Sequence, residues 1–122
     1  MKFDQTIPIY IQIVRELTQR IVSGKWKPGE KIAPVREMAA DFGVNPNTMQ
    51  RAMAELERQG LVYAERTAGR YVTEDKERIA HCRKELAAED SRKYLAAMIE
   101  LGFDREMIKG LLDELWEKEE KA

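Results

Sequence analysis

Apolar residues recur every three or four positions through most of the first 60 residues, which is the spacing of helices that bury one face. The pattern predicts three helices, over residues 8–23, 34–42 and 46–59. Each predicted helix is followed by a glycine, the residue that most readily ends a helix. Asn45 precedes the third helix and Pro46 opens it, and this pair is typical of a helix start.

Two stretches of the same region lack the helical spacing. Residues 25–31 contain Pro28-Gly29 and predict a turn between the first two helices. Residues 61–66 and 70–73 are short runs rich in valine and tyrosine, separated by Thr67-Ala68-Gly69. We therefore expect a β-hairpin with Gly69 at the tight position.

The helical spacing returns from residue 74 to the end of the chain. One apolar stripe is interrupted near Asp90 and stops at Gly102, and a second stripe follows Asp104, a plausible N-cap. The predicted fold is thus mainly α with a small β-hairpin: a winged helix-turn-helix over residues 1–73, followed by a two-helix hairpin over residues 74–122.

The two stripes of the C-terminal hairpin need a partner, because two helices cannot cover both stripes by themselves. A second copy of the chain would give a four-helix arrangement about a twofold axis, so we predict a homodimer. The alternative is a monomer whose hairpin folds back on the winged helix. The residues expected at the dimer interface are Ile79, Leu86, Tyr94, Met98, Leu101, Ile108, Leu111, Leu112 and Leu115.

The charge distribution favours a nucleic-acid partner, although the net charge is only −1. Residues 1–73 hold 11 Lys and Arg against 8 Asp and Glu, whereas residues 74–122 hold 10 against 14. The basic N-terminal part is suited to contact with DNA phosphates, whereas the acidic C-terminal part is repelled by them. A single cysteine, no apolar run of membrane-spanning length and no signal peptide lead us to expect a cytoplasmic protein.

The start of the third helix carries the candidate recognition chemistry. The second helix of a helix-turn-helix brings its first turn to DNA, so that turn must be polar. Here it reads Asn45-Pro46-Asn47-Thr48, followed by Gln50 and Arg51 on the outward side. Asn and Gln can pair with adenine edges and Arg with guanine, which predicts sequence-specific binding to double-stranded DNA.

The residues from 8 to 73 resemble the GntR family of bacterial transcription regulators almost continuously. The resemblance rests on the runs KPGEKI from Lys27, VREMA from Val35, GVNPNTMQRA from Gly43 and LERQGLV from Leu56. The run from Asn45 and the short C-terminal region are similar to the YtrA subfamily. The resemblance implies a DNA-binding transcription regulator. The twofold symmetry of the predicted dimer would place two recognition helices on the halves of a palindromic operator, and repression is the leading hypothesis.

The resemblance also implies roles for individual residues. Arg36 would contact the phosphate backbone or a base, and Gly69 would let the wing approach the minor groove. The remaining expected DNA contacts are the helix-capping and phosphate-binding Asn45, Asn47 and Thr48, the groove readers Gln50 and Arg51, and the basic wing residues Arg66 and Arg70.

The chain departs from the family at three places. Pro46 and Gln50 stand where many members carry arginine, so their target sequence does not transfer. Ala33-Pro34 replaces the usual Pro-Ser before the second helix, and Thr67-Ala68 replaces a more typical Gly-basic pair at the wing tip.

Other classes of function are less favoured by the sequence. A winged helix that binds protein instead of DNA would carry a more apolar face than residues 45–51. The adjacent His81 and Cys82 would point in different directions on a helix, so we predict no metal or cofactor site. The sequence shows no catalytic constellation, so we predict no enzyme. A small-molecule effector between helices at the dimer interface stays open.

Overall fold

The computed structural model describes residues 1–121. The chain begins with three helices, and one short strand lies between the first and the second of them. A β-hairpin and two further helices follow. Two compact units divide the chain, Met1–Lys84 and Glu85 onward. The boundary therefore falls within a helix, ten residues or so after the end of the region that resembles GntR regulators.

The first unit has a core made by three helices, α1 (Ile9–Val22), α2 (Val35–Phe42) and α3 (Pro46–Arg58). Their bounds confirm the three predicted helices to within two residues. Each helix buries the apolar side of its pattern and leaves the polar side in solvent, as the spacing of 3.6 residues per turn requires. The buried residues include Ile13, Leu17, Ile21, Met38, Ala39, Phe42, Met49, Met53 and Leu56.

A three-stranded antiparallel sheet covers one side of this core. Its strands are β1 (Lys31–Ile32), β2 (Val62–Glu65) and β3 (Gly69–Val72), and β3 lies in the middle. The hairpin of β2 and β3 was predicted from the sequence. The short strand β1 was not, because residues 25–31 were expected to form only a turn.

The inward side of the sheet is set by its register. Val62 pairs with Val72, and both side chains are buried beside the helical core. Because successive side chains of a strand point to opposite faces, Arg70 lies on the same face as Val72. Tyr63 and Tyr71 pair on the outward face, where their rings stack with centroids 5.8 Å apart.

The last two helices are α4 (Lys76–Glu100) and α5 (Arg105–Lys121). The helical C-terminal region confirms the predicted fold class. Asp104 caps α5 by accepting a hydrogen bond from the Met107 amide at 2.9 Å, as expected. The helix continues through Asp90, and its apolar stripe is interrupted there as expected, because residues 89–93 are all exposed.

The first turns of α4 belong to the winged-helix unit. Ile79 and Cys82 are buried there, and Ile79 lies beside Ile21 and Pro28. The Nε atom of Arg83 donates a hydrogen bond at 2.8 Å to the Val22 carbonyl, which lies in the last turn of α1. Helix α4 thereby covers one of the carbonyl groups that the end of a helix leaves without a partner. Within residues 1–121, no helix is both long and apolar enough to span a bilayer.

Candidate DNA-binding surface

Helix α3 has one wholly apolar side and one polar side. Met49, Ala52, Met53 and Leu56 are buried with at most 1% of their surface exposed. Of the residues between them in sequence, Gln50, Arg51 and Ala54 are exposed and Glu55 is half-buried. The apolar side fixes the helix to α1 and α2, so the polar side is held facing solvent.

The first turn of α3 has the features of an anion-binding helix start. The Oδ1 atom of Asn45 accepts a hydrogen bond from the Asn47 amide at 2.8 Å, and Pro46 occupies the first helical position. No acidic residue lies in this turn, so the partial positive charge of the helix start is not offset by a nearby carboxylate. Asn47 is exposed and Thr48 is half-buried. The arrangement can bind a phosphate oxygen.

Arg51 is exposed, and an aromatic ring of another helix supports it. The carbon at the centre of its guanidinium group lies 3.8 Å from the centroid of the Tyr10 ring, in α1. A cation over an aromatic face is attracted by the electron density of the ring. Tyr10 therefore limits the directions in which Arg51 can extend, a role that the sequence did not indicate.

Arg70 points back to α3, although the sequence suggested a basic flank of the wing. Its Nε atom forms an ion pair with Glu57, and its Nη1 atom donates a hydrogen bond to the Oε1 atom of Gln50 at 3.3 Å. Only 20% of the Arg70 side chain is exposed. The wing and the candidate recognition helix are thus joined through one guanidinium group.

The other candidate residues of this surface lie on α2 and on the wing. Arg36, in α2, and Arg66, in the turn between β2 and β3, are both exposed. Gly69 has a φ of +91°, which disfavours any side chain at this position. Lys31 passes close to it, since a Cβ atom on Gly69 would lie 3.7 Å from Lys31 Cε. Lys31 adds a wing cation that sequence reasoning missed, because it lies in a strand of two residues.

A second ion pair on α3 lies toward the other end of the helix. The guanidinium group of Arg58 bonds the Glu55 carboxylate through two nitrogen atoms. These hydrogen bonds lower the pKa of Glu55 from its usual 4.5 to about 2. Across residues 1–121, no group of three or more His, Cys, Asp or Glu side chains is placed to hold a metal ion.

The residues predicted for dimerisation fall into three groups by burial. Ile79 and Ile108 are buried within the chain. Leu86, Tyr94, Met98 and Leu111 are half-buried. The predicted residues that remain exposed are Leu101, Leu112 and Leu115.

Other exposed apolar side chains of the second unit were not among the predicted interface residues. Met107 and Trp116 lie on α5, and Leu95 and Ile99 lie on α4. Trp116 is 67% exposed, and its indole N–H donates a hydrogen bond to Glu120 at 2.9 Å. The four-residue spacing between Leu95 and Ile99 would have indicated that pair.

Three helices followed by a two-stranded wing, with a polar outward turn at the start of the third helix, define a winged helix-turn-helix. This class of fold is used by DNA-binding transcription regulators. The chain belongs to the GntR family of bacterial regulatory proteins, whose family model matches residues 9–72. The predicted resemblance to this family is confirmed.

Two relatives from Bacillus subtilis illustrate the extent of the similarity. The uncharacterised HTH-type transcriptional regulator YhcF is 37% identical over 111 residues, which cover 90% of this chain and 92% of YhcF. The HTH-type transcriptional repressor YtrA is 41% identical over 68 residues, which cover 56% of this chain and 52% of YtrA. The match to YtrA bears out the predicted similarity to YtrA-like members.

Solved structures show the same architecture. A GntR family transcriptional regulator from Listeria monocytogenes superposes with a TM-score of 0.86 at 39% identity, and the match covers 92% of this chain and 98% of that one. The DNA-binding domain of AraR, in complex with operator ORR3, superposes with a TM-score of 0.53 at 32% identity. That match covers 60% of this chain and 88% of the AraR domain.

Proposed function

We propose that the chain is a transcriptional repressor that binds a palindromic operator as a homodimer. The first turn of α3 enters the major groove, and the β2–β3 wing lies against the neighbouring minor groove. One observation carries the proposal: the polar start of α3 is held outward by a fully buried apolar side, with Asn45 capping it and no carboxylate in its first turn.

The surface divides into phosphate contacts and base contacts. Asn47 and Thr48 lie at the helix start that would bind a phosphate, and Arg36 in α2 and Arg66 in the turn between β2 and β3 add positive charge. The groove-facing side chains are Gln50 and Arg51, whose amide and guanidinium groups can pair with base edges. Gly69 lets the wing backbone approach the duplex. The operator complex of the AraR domain and the repressor activity in the name of YtrA support this assignment by analogy.

The homodimer is supported by the apolar surface of the second unit. Leu101, Leu112, Leu115 and Trp116 have between 43% and 68% of their surface exposed. Leu112, Leu115 and Trp116 share one side of α5 because they lie three or four residues apart, and an exposed apolar stripe of this kind is typical of an interface. Covering it with a second copy gives a four-helix arrangement, and the twofold axis places two α3 helices on the two halves of a palindrome.

Two of the residues predicted for the interface do not contribute to it in this proposal. Ile79 and Ile108 are already buried within one chain, so a second chain finds little of their surface to cover. The hydroxyl of Tyr94 is buried and has no hydrogen-bond partner within residues 1–121. Such a group costs about 1–3 kcal/mol while it stays unpaired, and because it is already enclosed within one chain, a second copy cannot reach it.

A gel-shift titration with the DNA upstream of its own gene tests operator binding. We expect a complex that weakens as the salt concentration increases. A duplex of scrambled sequence should compete only weakly for the protein. Arg51→Ala should relax base preference, whereas Arg36→Ala should weaken binding on all sequences alike. Arg58→Ala is the matched control, because Arg58 lies at the other end of α3 and is paired with Glu55. A chain that prefers no sequence would contradict the proposal and favour a protein-binding winged helix.

Light scattering coupled to gel filtration tests the homodimer. Leu112→Glu places a charge in the proposed interface and should give a monomer at concentrations where the unaltered chain is a dimer. Gly110→Glu is the matched control, because it adds the same side chain into open space about 200° away around α5. A mass of one chain for the unaltered protein, or equal dissociation by both variants, would argue against this interface.

A further inference from the structure

The contact between the wing and α3 bears on how bases are selected. Gln50 and Glu57 are seven residues apart, close to two helical turns, so they lie on the same side of α3. Arg70, on the inward face of β3, reaches both of them. Its ion pair with Glu57 anchors the guanidinium group, and the second nitrogen holds the amide oxygen of Gln50.

This contact determines which end of the Gln50 amide is available. Pairing with adenine requires the amide oxygen to accept from the base N6 amino group while the amide nitrogen donates to N7. Here the oxygen is turned toward Arg70, which leaves the NH₂ group as the part free to face a duplex. A donor without its neighbouring acceptor suits guanine, whose N7 and O6 atoms both accept.

We propose that Arg70 is a positioning residue for Gln50. Because Arg70 occupies the amide oxygen of Gln50, only the NH₂ group is left to contact DNA. Gln50 therefore prefers guanine to adenine at the base pair that it contacts. The inference rests on the proposed DNA-binding function and specifies how one of its base contacts is made. It replaces the direct DNA contact expected for Arg70 as a basic residue of the wing, because Glu57 neutralises its charge and the side chain is largely covered.

A randomised duplex library, selected first with the unaltered chain, provides the probe. The test variant is the double substitution Arg70→Met with Glu57→Gln, which removes the ion pair without changing the net charge. We expect the preference for guanine over adenine at one symmetric base pair to fall by about tenfold, the equivalent of one lost discriminating contact. Preferences at the other pairs should stay unchanged.

Three comparisons separate positioning from other roles. The double substitution Arg58→Met with Glu55→Gln removes a similar ion pair from the same helix, away from Gln50, and should leave the guanine preference intact. In a Gln50→Ala background, removing the Arg70 pair should have no further effect on base preference. The salt dependence of binding should also keep its slope, whereas a lost phosphate contact reduces that slope by about 0.9.

The readout is a ratio of two dissociation constants, so a partly unfolded variant does not distort it. If the double variant does not fold, Arg70→Lys is the second test. Lysine keeps a charge near Glu57 but lacks the planar fork that reaches both partners, so the same shift toward adenine is expected.

Different failures have different meanings. If the variant without the Arg70–Glu57 ion pair keeps the base preferences of the unaltered chain, the positioning role is overturned and the DNA-binding function still stands. Equal weakening on every sequence with a shallower salt slope overturns it as well, because that result identifies a phosphate contact. If the unaltered chain selects no motif, the proposed function fails and the inference fails with it.

Discussion

Replacing Asn45 by aspartate separates the two roles assigned to the start of α3. The side chain caps the helix through its Oδ1 atom, which accepts from the Asn47 amide at 2.8 Å. A carboxylate can make the same hydrogen bond and also interacts favourably with the helix dipole. Stability should therefore be unchanged or slightly higher in Asn45→Asp, whereas DNA binding should weaken.

The expected magnitudes follow from this geometry. Asn45→Ala removes one capping bond and should cost about 1 kcal/mol in the free energy of unfolding. Asn45→Asp keeps that bond but places a negative charge beside the proposed phosphate. At about 4 Å in water, the repulsion from one phosphate is roughly 1 kcal/mol, so the dissociation constant of each half-site should rise about fivefold or more.

Thermal unfolding and fluorescence anisotropy on the selected duplex measure the two effects separately. Asn45→Ser is the control that should preserve both capping and binding, because serine caps as well as asparagine and carries no charge. The loss of binding in Asn45→Asp should also shrink as salt is raised. A stable Asn45→Asp variant that binds DNA as tightly as the unaltered chain at low salt would refute the idea that this helix start faces phosphate.

Three further predictions concern the surroundings of the site. Gly69→Ala should lower the free energy of unfolding by roughly 1–2 kcal/mol in urea titrations, because its φ of +91° disfavours a side chain, and equal stability would contradict this. The Glu55 carboxyl should titrate near pH 2 in NMR. Its contribution to the stability of the fold is therefore complete above pH 4.5 and is lost as the pH falls toward 2, and Arg58→Ala should return the titration midpoint toward 4.5. Tyr10→Leu should weaken DNA binding through Arg51 while Tyr10→Phe does not, since only leucine removes the aromatic face, and equal effects of the two would argue against the stacking role.

The helices and the hairpin could be predicted because their patterns are local. Each of α1, α2 and α3 combines an apolar spacing with a start or stop residue, and these agree with each other. Strand β1 could not be found in this way. It has two residues, and its existence depends on pairing with β3, some forty residues further along the chain.

The candidate site could be predicted in its position but not in its contacts. The cap by Asn45 and the exposure of Gln50 follow from the order of residues along α3. The ion pair of Arg70 with Glu57 does not, because it joins a strand to a helix and depends on their packing. A basic residue in a wing therefore suggested a direct DNA contact, whereas the fold turns Arg70 toward the candidate recognition helix.

The most direct measurement of the central claim is a map of backbone amide shifts by NMR when the chain binds the duplex that the library selects. The account predicts the largest shifts at residues 45–51 and in the wing at residues 66–70. Amides at the opposite end of α3, near Gln59 and Gly60, should change little. Shifts concentrated near Gly60, with residues 45–51 unaffected, would contradict the claim that the start of α3 enters the groove.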